Sequence, residues 1–372
     1  MRILAFGSYR LWEQPRVQVL FDGLRELNHE IVECNVPLPF DTASRVRVAQ
    51  QPWRAPVLAL RVGEVWPRLW RKARKLPAPD VVLVPYLAHF DVHLARRLWP
   101  RTPIVLDHFL YLADTAIDRG SRSRAVLGAL DRLDRAAVRA ADLVIVDTEG
   151  HRQLLPEPER TDAIVVHVGA PRQWFYEPNL RDSGPLRAIF FGIFTPLQGA
   201  PVIGEALRLL DPDPRLLRFT MVGRGQEFDL TRRLAGSSPA VQWLDWVDYE
   251  KLPGLVADHD ICLGIFGANP KGLRVIPNKV YQGAAAGCAI VTSDSEPQRA
   301  SLAEAAVFVP PGDSAALANV LRELVSDPAR VWALRQAAYR RAVEAFTPAA
   351  VVQSLDERLT TGIRLKSRAA RQ

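Results

Sequence analysis

Arg274-Val-Ile-Pro-Asn278-Lys279-Val-Tyr-Gln282-Gly-Ala-Ala-Ala-Gly287-Cys-Ala-Ile-Val-Thr292-Ser-Asp294 sets a polar, basic lead-in ahead of a small-residue helix, a glycine and an apolar strand. Pro277 suits a first helical turn, where its missing N–H leaves no bond unmade and the neighbouring amides stay free to face an anion. Lys279 adds a mobile positive charge there. Gln282, almost one turn later on the same face, can donate to and accept from a hydroxyl. The alanines at 284–286 permit close packing on a sheet, Gly287 ends the helix in a left-handed conformation, and 289–292 reads as the next buried parallel strand. Two readings stand side by side, an anion- and hydroxyl-binding turn or an ordinary α/β turn with solvated basic residues.

The same alternation of short apolar runs with amphipathic stretches extends along the chain, the pattern of parallel sheets wrapped by helices. Strands are predicted at 2–6, 81–84, 104–106, 143–146 and 163–168, with helices at 16–27 and 123–140. Arg181-Asp-Ser-Gly-Pro185 reads as a hinge, after which strands at 186–191, 218–222, 241–244, 261–265 and 289–292 repeat the logic. At about 100 to 200 residues per domain, 372 residues give two α/β domains. The expected division is 1–180 and 181–345, both Rossmann-like, with a C-terminal helix and basic tail at 346–372 packing back on the first domain.

Composition narrows the class. The chain is 48% hydrophobic, yet no run of about 18 uninterrupted apolar residues appears and Met1-Arg2 leads straight into a strand, so neither a membrane span nor a signal peptide is expected. A cytoplasmic protein follows as the expectation. Cys34, Cys262 and Cys288 are isolated and odd in number, which argues for buried thiols over a disulfide framework or thiolate metal site. His89 and His93 have helix-face metal spacing without an accompanying Glu signature, so a packing or solvated role is expected. Asp294 lacks a second carboxylate at metal-like spacing, and no metal site is expected.

Candidate ligand-facing loops follow from the topology, because crevices beyond the carboxyl ends of parallel strands expose loops and helix N-termini. Gly7-Ser8 follows the first strand, and Gly192 to Gly199 follows the first strand of the second half. Neither is a GxGxxG fingerprint, which weakens a dinucleotide-enzyme reading. Arg224, inside Gly223-Arg-Gly225, either pairs with a phosphate or is a solvated loop arginine.

Several blocks in order resemble GT-B glycosyltransferases, especially the retaining family 4 group. The 274–294 segment resembles their donor-site block, Met1-Arg-Ile-Leu-Ala-Phe-Gly-Ser8 the first strand and turn, and Ala141-Asp-Leu-Val-Ile-Val-Asp-Thr148 the late N-domain strand. Val168-Gly-Ala-Pro171 resembles the segment entering the second domain, and Phe190-Phe-Gly-Ile-Phe-Thr-Pro-Leu-Gln-Gly199 its first strand and donor loop. The resemblance implies two Rossmann-like domains with parallel sheets facing across a central cleft. It also implies transfer of a sugar, commonly with retention, from a nucleotide-diphosphate sugar to a glycan, glycolipid or related acceptor. The nucleotide sugar is then the co-substrate, with no further cofactor. Gly192, Gln198, Gly199, Arg224, Arg274, Asn278, Lys279 and Gln282 fall on the donor side, and Gly7, Ser8 and Asp114 on the acceptor side.

Departures from the family pattern bear on activity. Two glutamates eight positions apart are usual; here those positions hold Arg274 and Gln282, and the phosphate-binding lysine of the donor loop is replaced by Gln198. Gln282 keeps hydroxyl recognition, whereas Arg274 reverses a charge. Anion neutralisation then falls on Lys279, assisted by Arg274, Lys271 or Arg224. A catalytically silent nucleotide-sugar-binding or partner protein is the alternative reading.

Beyond the strand at 104–106, Asp107-His108 with Asp114 and Asp118-Arg119 is the acceptor-side constellation, in which Asp107 and His108 are the catalytic candidates. Asp107 either orients an acceptor hydroxyl or caps the following helix; His108 suits a proton relay; Asp118-Arg119 is alternatively a surface pair. A separate signal spans 42–76, where Arg45, Arg47, Arg54, Arg61, Arg68, Arg71, Lys72, Arg74 and Lys75 face Glu64 alone and Trp53, Trp66 and Trp70 interleave. That pattern suits an anionic membrane surface ahead of nucleic acid, consistent with the net charge of +7, or else a solvated, tryptophan-anchored helix.

Overall fold

The computed structural model describes residues 1–11, 14–37, 55–86, 89–180 and 184–363. The chain divides into two compact units, Met1–His167 joined by the C-terminal segment from Pro348, and Val168–Thr347. The first unit therefore ends at 167, not 180. Residues 168–180 belong with the second, and 181–183 of the expected hinge lie outside the described residues.

In the first unit β1 (Arg2–Gly7), β2 (Glu30–Asn35), β3 (Val81–Val84), β4 (Ile104–Asp107), β5 (Leu143–Val146) and β6 (Ile164–Val165) form a sheet in the order β2-β1-β3-β4-β5-β6. Every pairing is parallel. The crossovers include α1 (Pro15–Glu26), α2 (Ala55–Ala73), α3 (Asp91–Leu98), α4 (Leu112–Asp118) and α5 (Arg124–Ala140). Strands β3, β4 and β5 are buried along their whole length, which is why β3 and β5 are continuous apolar runs and β4 is apolar up to its closing Asp107. Leu4, Val82, Leu106 and Val144 join one core, while Ile3, Val81, Val105 and Ile145 join the other.

The strand β2 was not predicted. Its sequence EIVECN is only partly buried, because it is the edge strand and its charged residues face water. The run predicted as a strand at 163–168 pairs only at Ile164–Val165. A C-terminal helix (Pro348–Thr360) packs on α1. The contact depends on Gly23, where a Cβ would sit 2.2 Å from the Pro348 carbonyl oxygen. Val351, Val352, Leu355 and Leu359 of this helix complete the second core.

The second unit repeats the plan with β7 (Leu186–Phe191), β8 (Leu217–Val222), β9 (Val241–Leu244), β10 (Ile261–Leu263), β11 (Ala289–Ser293) and β12 (Ala306–Val309), ordered β12-β11-β10-β7-β8-β9. All pairs are again parallel. The edge strand β12, half-buried over most of its length, was also not predicted. Phe190, Phe219, Leu263, Val291 and Leu321 centre its core. Among the described residues no helix is long and apolar enough to cross a membrane.

Candidate active site

Of the residues expected on the donor side, Gly192, Gln198 and Gly199 follow β7, and Arg274, Asn278, Lys279 and Gln282 follow β10. Beyond β7 the chain passes Gly192 and a short 3-10 turn at Pro196–Gln198, then enters a helix at Ala200–Leu210. Gly199 makes that turn possible. Its φ of 61° is left-handed, and a Cβ there would stand 2.3 Å from the Gly267 amide nitrogen, so any side chain would displace the backbone that follows β10.

The helix Asn278–Ala285 starts beyond Pro277 and carries Lys279 in its first turn. Gly283 lets it lie against β10, since a Cβ would come 2.5 Å from Cys262 Sγ, and Gly287 closes it with a φ of 71°, the predicted left-handed ending. Lys279 Nζ donates to Gln198 Oε1 at 2.6 Å and lies 3.5 Å from the centroid of the Phe190 ring. A Cβ on Gly192 would be 3.4 Å from the same nitrogen, so the two loops and the helix start meet around one ammonium group. Only 4% of Lys279 is exposed, and burial pushes its pKa well below the usual lysine value. The Gln198 oxygen and the aromatic face offset only part of that desolvation. Gln282, one turn on, is buried too.

The remaining cations differ in setting. Arg274 and Asn278 are half-buried at the lead-in to the helix, and Lys271 is buried. Arg224 is exposed, pairs with Asp245 at 2.7 Å and covers the Phe228 ring at 3.9 Å, the solvated-loop reading of this residue. Asp294 pairs with Arg299 in a surface ion pair. Cys262, expected to be buried and inert, is buried, with its thiol pushed up to about 12 by desolvation.

In the first unit the strand ends carry a different arrangement. Asp107 closes β4, and its fully buried carboxylate receives Arg16 Nε of α1 at 2.9 and 3.1 Å. Arg16 Nη1 spans onward to the Val166 and His167 carbonyls at 2.7 and 3.0 Å. Burial raises the Asp107 carboxyl and the Arg16 guanidinium opposes the rise. Asp107 thus neither faces an open crevice nor caps the next helix, and the reading that gave it both options is corrected. The N-terminus of α4 is instead served by Asp134 of α5, whose oxygens accept from the Leu112 and Ala113 amides at 3.1 and 3.3 Å. Asp118 and Arg119, 3.8 Å apart, are mostly buried and not a surface pair.

His108 is 2% exposed, packed edge-on to Tyr111 and His89, with its pKa well below the usual histidine value through burial and the neighbouring histidines. It is neutral at pH 7. Ser8 is held by Asp91, which accepts from its amide at 2.8 Å and its hydroxyl at 2.7 Å, and Gly7 precedes it with that same carboxylate oxygen 3.2 Å from a would-be Cβ. Asp114 sits half-buried in the first turn of α4. Sequence reading missed Arg16, Asp91 and Asp134, whose partners lie far along the chain with no local spacing to reveal them, and it passed over the Asp147–His151 pair although the two stand four residues apart.

The basic segment is described only in part. Trp53, Arg45, Arg47 and Arg54 lie outside the described residues. On α2, Arg68, Arg71 and Lys72 are exposed, as are Arg74 and Lys75 just beyond it, and Trp70 is 42% exposed with Arg74 over its ring. Trp66 departs from the expected surface role: it packs against the first core and donates to Asp91 at 3.2 Å.

Residues 185–327 match the family described as glycosyl transferases group 1. No curated protein sequence matches the chain. Sucrose-phosphate synthase from Thermosynechococcus elongatus has a similar structure, with a TM-score of 0.71 at 13% identity over 97% of this chain and 98% of its own. Anabaena HepE in complex with UDP and glucose gives 0.67 at 16%, over 97% and 100%. A UDP-forming α,α-trehalose-phosphate synthase from Burkholderia vietnamiensis gives 0.66 at 14%, over 97% and 100%. The fold is the GT-B fold of these structures, and the segment that matches the family model lies within the second unit.

Proposed function

We propose that this chain, a GT-B fold with a glycosyl transferases group 1 domain at 185–327, transfers a sugar from a nucleoside diphosphate to a glycan or glycolipid acceptor, with retention at the anomeric carbon. The observation that carries this reading is Lys279. A buried ammonium group in the first turn of a helix, braced by Gln198 and flanked by Gly192, is placed to receive a diphosphate within the matched segment. Charge builds on the leaving phosphate as the glycosidic bond to it breaks. Lys279 and the helix-end amides stabilise that charge without reorganising.

The donor we propose is a UDP-sugar, since HepE has been solved with UDP-glucose. A panel of UDP-, GDP- and dTDP-sugars, read by calorimetric binding and slow donor hydrolysis, tests it. Failure of every donor to bind would end the reading. Binding without turnover on any acceptor would favour the silent alternative, which Arg274 and the neutralised Asp107 make worth the assay.

The exposed cations from Arg68 to Lys75 with Trp70 support peripheral docking on an anionic membrane, at roughly 1 kcal/mol per basic residue near the headgroups. Trp66 takes no part in it.

A further inference from the structure

Three side chains at the carboxyl end of the first sheet meet one another. His89 lies in the turn before α3, His108 directly follows β4, and Asp134 projects from α5. One ligand atom from each falls within 4.8 Å of the other two, and all three residues are buried. His89 Nε2 sits 2.8 Å from Asp134 Oδ1 without the alignment of a hydrogen bond, and His108 Nε2 is buried with no hydrogen-bond partner among the described residues. Leaving such a nitrogen buried and unsatisfied is unfavourable. Two imidazole nitrogens without hydrogen bonds beside one carboxylate are what a cation with borderline preferences selects.

We propose that His89, His108 and Asp134 bind a divalent transition metal, Zn²⁺ by preference. Two nitrogens and one oxygen at about 2.0–2.2 Å from zinc would stand about 3.3 Å apart, a separation reached from the present one by small side-chain movements. The backbone needs no rearrangement. His108 is anchored by its amide donating to the Ile145 carbonyl at 2.9 Å, and its ring is fixed against Tyr111 at a centroid distance of 4.3 Å. Asp134 is oriented by the Leu112 and Ala113 amides, the kind of outer support that fixes a ligating carboxylate. Tyr111 donates its hydroxyl to the His151 carbonyl at 2.7 Å and is not a fourth ligand, so that position is left for a water. His93, the other half of the spacing noted in the sequence, is not part of this group.

The metal would tie two crossovers of one unit together, β3 to β4 through His89 and β4 to β5 through His108 and Asp134. None of its ligands belongs to the segment that matches the family, so metal binding is tested apart from donor binding. The full-length protein, stripped with chelator, is titrated with Zn²⁺ and separately with Co²⁺ and Mg²⁺. We expect one equivalent of Zn²⁺ to bind, a rise in melting temperature, intense visible Co²⁺ bands of a four-coordinate site, and no response to Mg²⁺. His89→Gln and His108→Gln should each weaken Zn²⁺ binding at least a hundredfold, while His93→Gln leaves it unchanged. X-ray absorption of the Zn²⁺-loaded parent covers the case in which a variant fails to fold, with two imidazoles and oxygen ligands as the expected shell. Absence of stoichiometric binding, an all-oxygen or sulfur-containing shell, or full affinity in both folded histidine variants would overturn the site.

Discussion

Lys279 and Arg16 are both buried cations near the carboxyl ends of parallel strands, yet only one is committed to a partner of opposite charge. Arg16 is neutralised by Asp107 and satisfied further by two carbonyls. Lys279 has a neutral amide oxygen and an aromatic face. A closed ion pair holds a fold together, whereas a buried cation that meets only neutral groups among the described residues favours an incoming anion. The two units thus use one architecture for opposite electrostatic ends.

The comparison breaks first at Asp107. Removing one partner of a buried ion pair typically costs about 3–5 kcal/mol, so Asp107→Ala should lower the unfolding midpoint sharply and Asp107→Asn nearly as much, since both leave Arg16 charged. Chemical denaturation of both variants measures it. A stable Asn variant with lost turnover would instead return Asp107 to the chemistry.

Lys279→Ala should cut sugar transfer by roughly tenfold to a thousandfold, the scale of one lost electrostatic donor, without lowering the melting temperature. Unchanged kcat/KM would remove Lys279 from the site. Its titration sharpens the contrast. With the folded-state pKa depressed below the unfolded value near 10.5, the folded protein binds fewer protons, and ligand-free stability rises with pH between those two values. Below that window the full penalty applies. Lys279→Met should flatten the rise, and donor binding should be accompanied by proton uptake, visible as a buffer-dependent calorimetric enthalpy.

Gly199→Ala sets a side chain 2.3 Å from the Gly267 amide at a left-handed φ, so it should weaken donor binding and cost on the order of 1–3 kcal/mol of stability. Equal donor affinity and melting temperature in the variant would show that the loop gives way freely.

The smallest effect is expected on the surface. Replacing Arg68, Arg71, Lys72 and Arg74 with Gln and Trp70 with Ser should reduce co-sedimentation with anionic vesicles, and salt should do the same to the parent by screening. Donor affinity should stay as it is. Equal sedimentation of both proteins would dismiss the docking surface.

Much of this protein was determined by its sequence. Continuous apolar runs at 81–84 and 143–146 read as strands buried on both faces, and Pro277, Lys279 and Gly287 marked a helix start, its charge and its end where the structure has them. Local physics sufficed there, because each signal lies within one element. The edge strands β2 and β12 escaped, since half-exposed strands carry mixed residues. What only the tertiary structure decided is pairing: Arg16 with Asp107 across 91 residues, Lys279 with Gln198 across 81, Trp66 with Asp91, and His89 with His108 and Asp134. A charged side chain's role depends on what desolvates it and which partner reaches it, and the crossovers that bring partners together leave no periodicity in the chain.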